Sequence, residues 1–355
     1  MSINVPLLKT ICETAGAPGH EQRVRELVIK EVKPLVDDIS IDNMGNVTAF
    51  KKGRKSLPAG QKSKKVMVAA HMDEISFIVS HIDERGFLRF HPLGGFDPKT
   101  LTAQRVIVHG KKDLIGVMGC KPIHIMTPEE RMKVVPLTDY YIDLGMPRKE
   151  VDKYVKVGDV VTRERGLIEM GNCVNCKSLD NRLSVFILIE TLRELKHSPY
   201  DVYGVFTVQE EVGIRGANVS ALRIQPDFGF GLDVTLAVDV PGSKEHEKIT
   251  ELGKGTAIKV MDSSVICDYR MVKYMVQTAE KNKIPYQMEL LPAGGTDTAG
   301  LQRMTPGGSI SGCISIPTRH IHQVIEMADK SDIRRSIDLL KKCIEGLDKY
   351  DWSFK

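Results

Sequence analysis

Five side chains of metal-ligand type are scattered along the 355 residues: His71, Asp180, Glu211, Asp233 and His322. All but one adjoin a stretch that reads as a buried strand or the start of a helix. Imidazole and carboxylate together suit zinc, cobalt or manganese. Five protein ligands are too many for one catalytic ion that must keep a position open. If one carboxylate bridges, the same five serve two ions with room left for water. That is the arrangement of two-metal hydrolysis, with the ions roughly 3.5–4 Å apart.

The surroundings of each residue weigh ligand chemistry against plainer roles. His71 follows the apolar run 66–70 and should emerge at a strand end, where open α/β sheets place ligands. Asp73, two residues on, could accept a hydrogen bond from the ring nitrogen that faces away from a metal. Asp180 stands at the start of a helical stretch, either as its N-cap or as a short bridge with one oxygen for each ion. Asp233 is expected to end the strand 227–232, with turn formation as the competing role. Glu210 and Glu211 follow an apolar strand, and packing explains them poorly because desolvating carboxylates is costly. Strand neighbours point to opposite faces, so the pair is expected where the strand breaks. One could then bind metal while the other acts as general base. His320 and His322 would share a face if they lie on a strand. They could equally be surface histidines, and the sequence does not choose.

The elements that must hold these groups are legible as periodicities. Leu7, Leu8 and Ile11 predict a first helix, and Val24, Leu27, Val28 and Val32 a second one ending near Pro34. Residues 43–50 and 66–70 read as strands, and the Lys- and Gly-rich segment 51–65 as a solvated hairpin tip without aromatics to stack bases. From 75 to 163 short β-like pieces alternate with turns, which predicts a β-rich module inserted into an α/β domain. Residues 181–195 read as an amphipathic helix, and 202–208 and 227–232 as parallel strands. A closing helix is expected with Ser331 as N-cap and Ile333, Ile337, Leu340, Ile344 and Leu347 on its apolar face.

Composition sets outer bounds. The chain is 42% hydrophobic and 27% charged, ordinary for a globular protein with room for two domains. A net charge of +4 makes no case for nucleic acid. The start has no secretory pattern and no apolar run approaches a membrane span, so a cytoplasmic location without membrane contact is expected. Seven cysteines without a regular framework fit a reducing compartment. The single CxxC, Cys173 to Cys176, lacks the further ligands of a structural zinc site. His124 is given no ligand role.

The stretches AAHMDEISFIV, SLDNR, TVQEEVGIRGA, LDVT and GGTDTAG, in this order, resemble the M42 metallo-aminopeptidases, the glutamyl-aminopeptidase or TET-like group. The similarity extends over nearly the whole chain. It implies a three-layer α/β/α catalytic domain of residues 1–74 and 164–355. A β-barrel-like, PDZ-like dimerisation domain, residues 75–163, would interrupt it. It implies two divalent ions, zinc or cobalt or else manganese. His71, Asp180 and Asp233 would hold one and Asp180, Glu211 and His322 the other, with Glu210 as general base and Asp73 orienting His71. Gly294, Gly295, Asp297 and His320 become candidate substrate contacts, the paired glycines by close backbone approach. Short peptides would be the substrates, and dimers assembling into a dodecamer the expected state. Two departures stand out: His320 where the family often has Tyr, and Asn181 where it usually has Asp. Two rival readings are glycoside hydrolysis, which needs two carboxyls about 5–10 Å apart and leaves the histidines idle, and a silent scaffold of the same fold.

Overall fold

A computed structural model describes residues 3–53 and 63–354. Its centre is four parallel strands, in the order Asp201–Thr207, Lys65–His71, Phe228–Leu236 and Ile310–Arg319. They form the middle of an eleven-stranded mixed sheet. Such a strand must be apolar on both faces. In Lys65–His71, Val66, Val68 and Ala70 enter one core while Met67 and Ala69 enter another on the opposite face. The first core lies under helices Val5–Glu13, Gln22–Val32, Leu179–Glu194 and Lys330–Gly346, the second under Arg215–Ile224 and Thr298–Arg303. The architecture is therefore helix layer, sheet, helix layer.

Between residues 76 and 163 six strands close into an antiparallel barrel, from Ser76–Ile82 to Val160–Arg163. The barrel has its own core, with Phe77, Val79, Leu88, Val106, Val108 and Ile142 inside. Its longest helix is the seven-residue Arg148–Tyr154. A protruding stretch leaves Ile123, Ile125, Met132 and Val134 at 60, 66, 89 and 50% exposure.

Several local expectations need correction. The strands flanking segment 51–65 do not pair as a hairpin, because Asp201–Thr207 lies between Val47–Lys51 and Lys65–His71 and pairs with both; most of the expected tip, 54–62, lies outside the described residues. Helix Leu179–Glu194 is not amphipathic. It is wedged between the sheet and other helices, and nearly every side chain from Leu179 to Leu192 is buried. The cap of the last helix is Asp329, whose carboxylate accepts from Ser331 N, rather than Ser331. Among the described residues no helix is long and apolar enough to cross a membrane.

Candidate metal centre and substrate cleft

The parallel strands carry His71, Glu211, Asp233 and His322 to one edge, and the first turn of helix Leu179–Glu194 brings Asp180 there. His71 is the last residue of its strand, paired with Thr207. Phe228–Leu236 is hydrogen-bonded to Lys65–His71 only as far as Gly231, so Asp233 lies inside its strand, past the end of that ladder. Asp233 therefore does not end the strand as expected; pairing with Ile310–Arg319 carries it on to Leu236. After Thr207 the chain breaks at Gln209, with φ of 55°, and turns so that both Glu210 and Glu211 face the cleft.

Asp180 is not an N-cap. Ser178 takes that position, and Asp180 and Asn181 have non-helical dihedrals inside the first turn. Its Oδ1 lies 3.4 Å from His71 Nε2 and its Oδ2 3.3 Å from His322 Nε2. Asp233 Oδ1 is 3.9 Å from His71 Nε2, and Glu211 Oε2 is 3.6 Å from His322 Nε2. The atoms fall into two triads, His71–Asp180–Asp233 and Asp180–Glu211–His322, with ligand atoms within 4.8 Å of one another. Glu210 Oε2, 3.7 Å from His71 Nε2, belongs to neither. The donor set suits borderline divalent cations. Glu211 Oε1, buried without a hydrogen-bond partner, leaves an oxygen for one.

Without cations the cluster is electrostatically uncomfortable. Burial, reinforced by Asp180, pushes Glu211 up to about 8. Burial also raises Glu210 and Asp233 well above the carboxylate range. Asp180 would rise by burial too, but hydrogen bonds with His322 and His71 outweigh it and hold it low. Burial works against the His322 imidazolium, yet Asp180 and Glu211 lift it to about 9.

Two buried carboxylates brace the cluster. Asp73 accepts the backbone N–H of Glu210 on Oδ1 at 3.0 Å and that of Glu211 on Oδ2 at 3.1 Å. His71 Nδ1 is 3.1 Å from the Asp73 carbonyl oxygen and 3.4 Å from Oδ1, so the carbonyl lies nearer the ring than the carboxylate does. Glu326, fully buried, accepts Asp180 N on Oε2 and His322 N on Oε1, both at 2.9 Å. Arg163 at the end of the barrel donates to the His322 carbonyl at 3.0 Å. Sequence reasoning missed Glu326: it follows His322 by four residues, but nothing in Val-Ile-Glu-Met marks it.

The candidate substrate contacts divide. A cleft of about 550 Å³ is lined by Gly294, Gly295 and Thr296 together with Asp180, Glu211, Asp233 and His322. Gly294 has φ of 71°, open to glycine at little cost, and a Cβ on Gly295 would come within 3.2 Å of Ser264. Asp297 is no wall residue. It is 1% exposed and hydrogen-bonded to the Thr207 hydroxyl. His320 and His322 share no strand face, since the strand ends at Arg319 and both have left-handed φ, 60° and 66°. Only His322 faces the cleft; His320 is exposed.

An α/β sheet with a carboxylate–imidazole cluster at the carboxyl ends of its strands is the layout of a hydrolase with a built metal site. The chain belongs to the M42 glutamyl aminopeptidase family, whose sequence profile matches residues 45–339. It is 42% identical over 339 residues to a putative aminopeptidase of Acetivibrio thermocellus, covering 95% of this chain and 97% of that one. It superposes on aminopeptidase APDkam598 of the archaeon Desulfurococcus kamchatkensis with a TM-score of 0.91 at 38% identity, covering 96% and 94% of the two chains. A third likeness is the TET1 peptidase of Pyrococcus horikoshii, with a TM-score of 0.83, 29% identity and 96% and 98% covered, which can assemble into a tetrahedron or a large octahedral shell. The protein is an aminopeptidase, a peptide-bond hydrolase of a metal-dependent family.

Proposed function

We propose that the protein is a dinuclear aminopeptidase that removes N-terminal residues from short peptides. The observation that carries this reading is Asp180, whose two oxygens face two different imidazoles, each with a further carboxylate beside it. His71, Asp180 and Asp233 would hold one divalent ion and Asp180, Glu211 and His322 the other, with zinc, cobalt or manganese all suited. Bound there, the pair would polarise the scissile carbonyl and acidify the attacking water. Glu210 belongs to neither triad and lies on the cleft wall, which suits a general base that takes the water's proton and returns it to the leaving amine. Asp73 and Glu326 keep these groups in register through backbone N–H bonds.

We assign residues 1–74 and 164–355 to the catalytic domain and 75–163 to a dimerisation module. The exposed apolar side chains between Ile123 and Val134 support that role, as does the assembly of the Pyrococcus TET1 peptidase. Dimers building a dodecamer in the cytoplasm are the proposed state.

The test is hydrolysis of a panel of aminoacyl-anilides before and after chelation, then with zinc, cobalt or manganese restored. Activity lost to chelator and regained with metal is expected. Silence across the panel with metal present would overturn the reading.

A further inference from the structure

Beyond the triads and Glu210 the cleft wall carries five aliphatic side chains, Ile214, Val234, Leu236, Leu291 and Ile321. Among the described lining residues, only Lys259 and Asp262 bring charge beyond the ligand set and Glu210. Lys259 is 1% exposed and stands opposite Glu289 in the parallel ladder of Thr256–Met261 and Tyr286–Leu290. Its Nζ donates to Glu289 Oε1 at 2.5 Å and lies 3.4 Å from Asp262 Oδ2. One ammonium thus faces two carboxylates.

Those carboxylates have little to offer a ligand. Asp262 Oδ1 accepts from Ser264 N, Ser264 Oγ and Val265 N, and Oδ2 from the Thr296 hydroxyl. Glu289 Oε1 also accepts from Thr235 Oγ1; Oε2 has no hydrogen-bond partner, but Glu289 is fully buried behind the wall.

We propose that this recess receives the side chain of the substrate's N-terminal residue and selects uncharged, apolar ones of the leucine or methionine type. Glu289 sets that preference by cancelling the charge of Lys259. The inference rests on the aminopeptidase reading, which places the N-terminal amine and scissile carbonyl at the triads and leaves the remaining recess to that side chain. A substrate carboxylate would meet an ammonium that two carboxylates already outweigh. A substrate ammonium would lie beside Lys259, with both Asp262 oxygens already accepting and Glu289 behind the wall. Either charge would lose its water without gaining a counter-charge, which is costly. An apolar side chain gains by burial against the five aliphatic residues.

The experiment compares kcat/KM of the metal-loaded enzyme on leucine, methionine, glutamate and lysine anilides, for the natural protein, Glu289→Gln and Lys259→Met. Leucine and methionine should exceed glutamate and lysine by about tenfold or more, within the range a pocket of this kind supplies. Glu289→Gln, which leaves the ammonium with Asp262 alone, should raise the glutamate-to-leucine ratio. Lys259→Met, which leaves two carboxylates uncompensated, should raise the lysine-to-leucine ratio instead. If either variant fails to fold, the four-substrate ranking of the natural protein still decides the selectivity. A natural preference for glutamate or lysine, or unchanged ratios in both folded variants, would overturn the inference while leaving the aminopeptidase intact. No cleavage of any anilide would overturn both.

Discussion

Glu210 hangs from Asp73: its backbone N–H donates to Asp73 Oδ1 at 3.0 Å, at the turn where the chain leaves the sheet. The same Asp73 stands beside the His71 ring through its carbonyl and carboxylate. The proposed base and one proposed ligand are thus positioned by a single residue. Moving either would disturb the other, so substitutions at Glu210 should change only its side chain.

Glu210→Gln keeps the backbone bond to Asp73 and removes only the basic oxygen. We expect both ions to stay bound and kcat to fall about 10²–10⁴-fold, the usual weight of a positioned general base. Metal content by elemental analysis, read beside the anilide assay, checks this. Near-natural turnover would remove Glu210 from the role.

Asp180 and Asp233 should separate bridging from terminal ligation. Asp180→Ala touches both triads and is expected to lose both ions, whereas Asp233→Ala touches one and should retain the ion of the other. Equal metal contents in the two variants would contradict a bridge.

Glu326→Gln leaves one carbonyl oxygen where two carboxylate oxygens held Asp180 N and His322 N. Metal affinity, measured by competition with a chromophoric chelator, should drop about 10–100-fold, as for other groups that orient ligands. Unchanged affinity in a folded variant would make Glu326 a packing residue only.

The protruding stretch of the barrel offers a test of assembly. Paired substitutions Ile125→Asp and Met132→Glu put charge on side chains 66 and 89% exposed. Light scattering should report a smaller particle than the natural protein gives. A natural protein that is monomeric at every concentration would remove the oligomer from the proposal.

Stability should respond to acid through Glu194, which accepts from Arg334 and Lys341 and so ties helix Leu179–Glu194 to helix Lys330–Gly346. The Arg334 hydrogen bond, opposed by partial burial and helped by Lys341, lowers its pKa from 4.5 to about 2. A depressed carboxylate stabilises the fold above its unfolded pKa and loses that contribution as pH falls through the folded one. Glu194→Gln should therefore cost about 1 kcal/mol near neutral pH, allowing for solvent screening. The difference should shrink from pH 4.5 towards 2. Urea titrations at several pH values check it; a gap independent of pH would point to packing.

Much of the molecule was legible in its sequence, for identifiable reasons. Glu210 and Glu211 stand out because an apolar strand gives carboxylates no reason to follow it unless they are used. Helices Val5–Glu13 and Gln22–Val32 are read from the spacing of their valines and leucines because each buries one face. The barrel stretch declares itself by short β-like pieces between turns.

Tertiary structure decided what depends on separate segments meeting. That strand Asp201–Thr207 inserts between Val47–Lys51 and Lys65–His71 is a matter of long-range pairing, invisible to a local pattern that read a hairpin. Helix Leu179–Glu194 seemed amphipathic because its polar residues look solvated in isolation, yet layers on both sides bury them. Asp297 and His320 carry suitable chemistry, but one is buried off the cleft wall and the other is exposed outside it. Residue types and apolar periodicity are local properties that a chain displays by itself. Which oxygen of Asp180 faces which histidine, and which carboxylate neutralises Lys259, are set by strand register and packing between residues far apart in sequence.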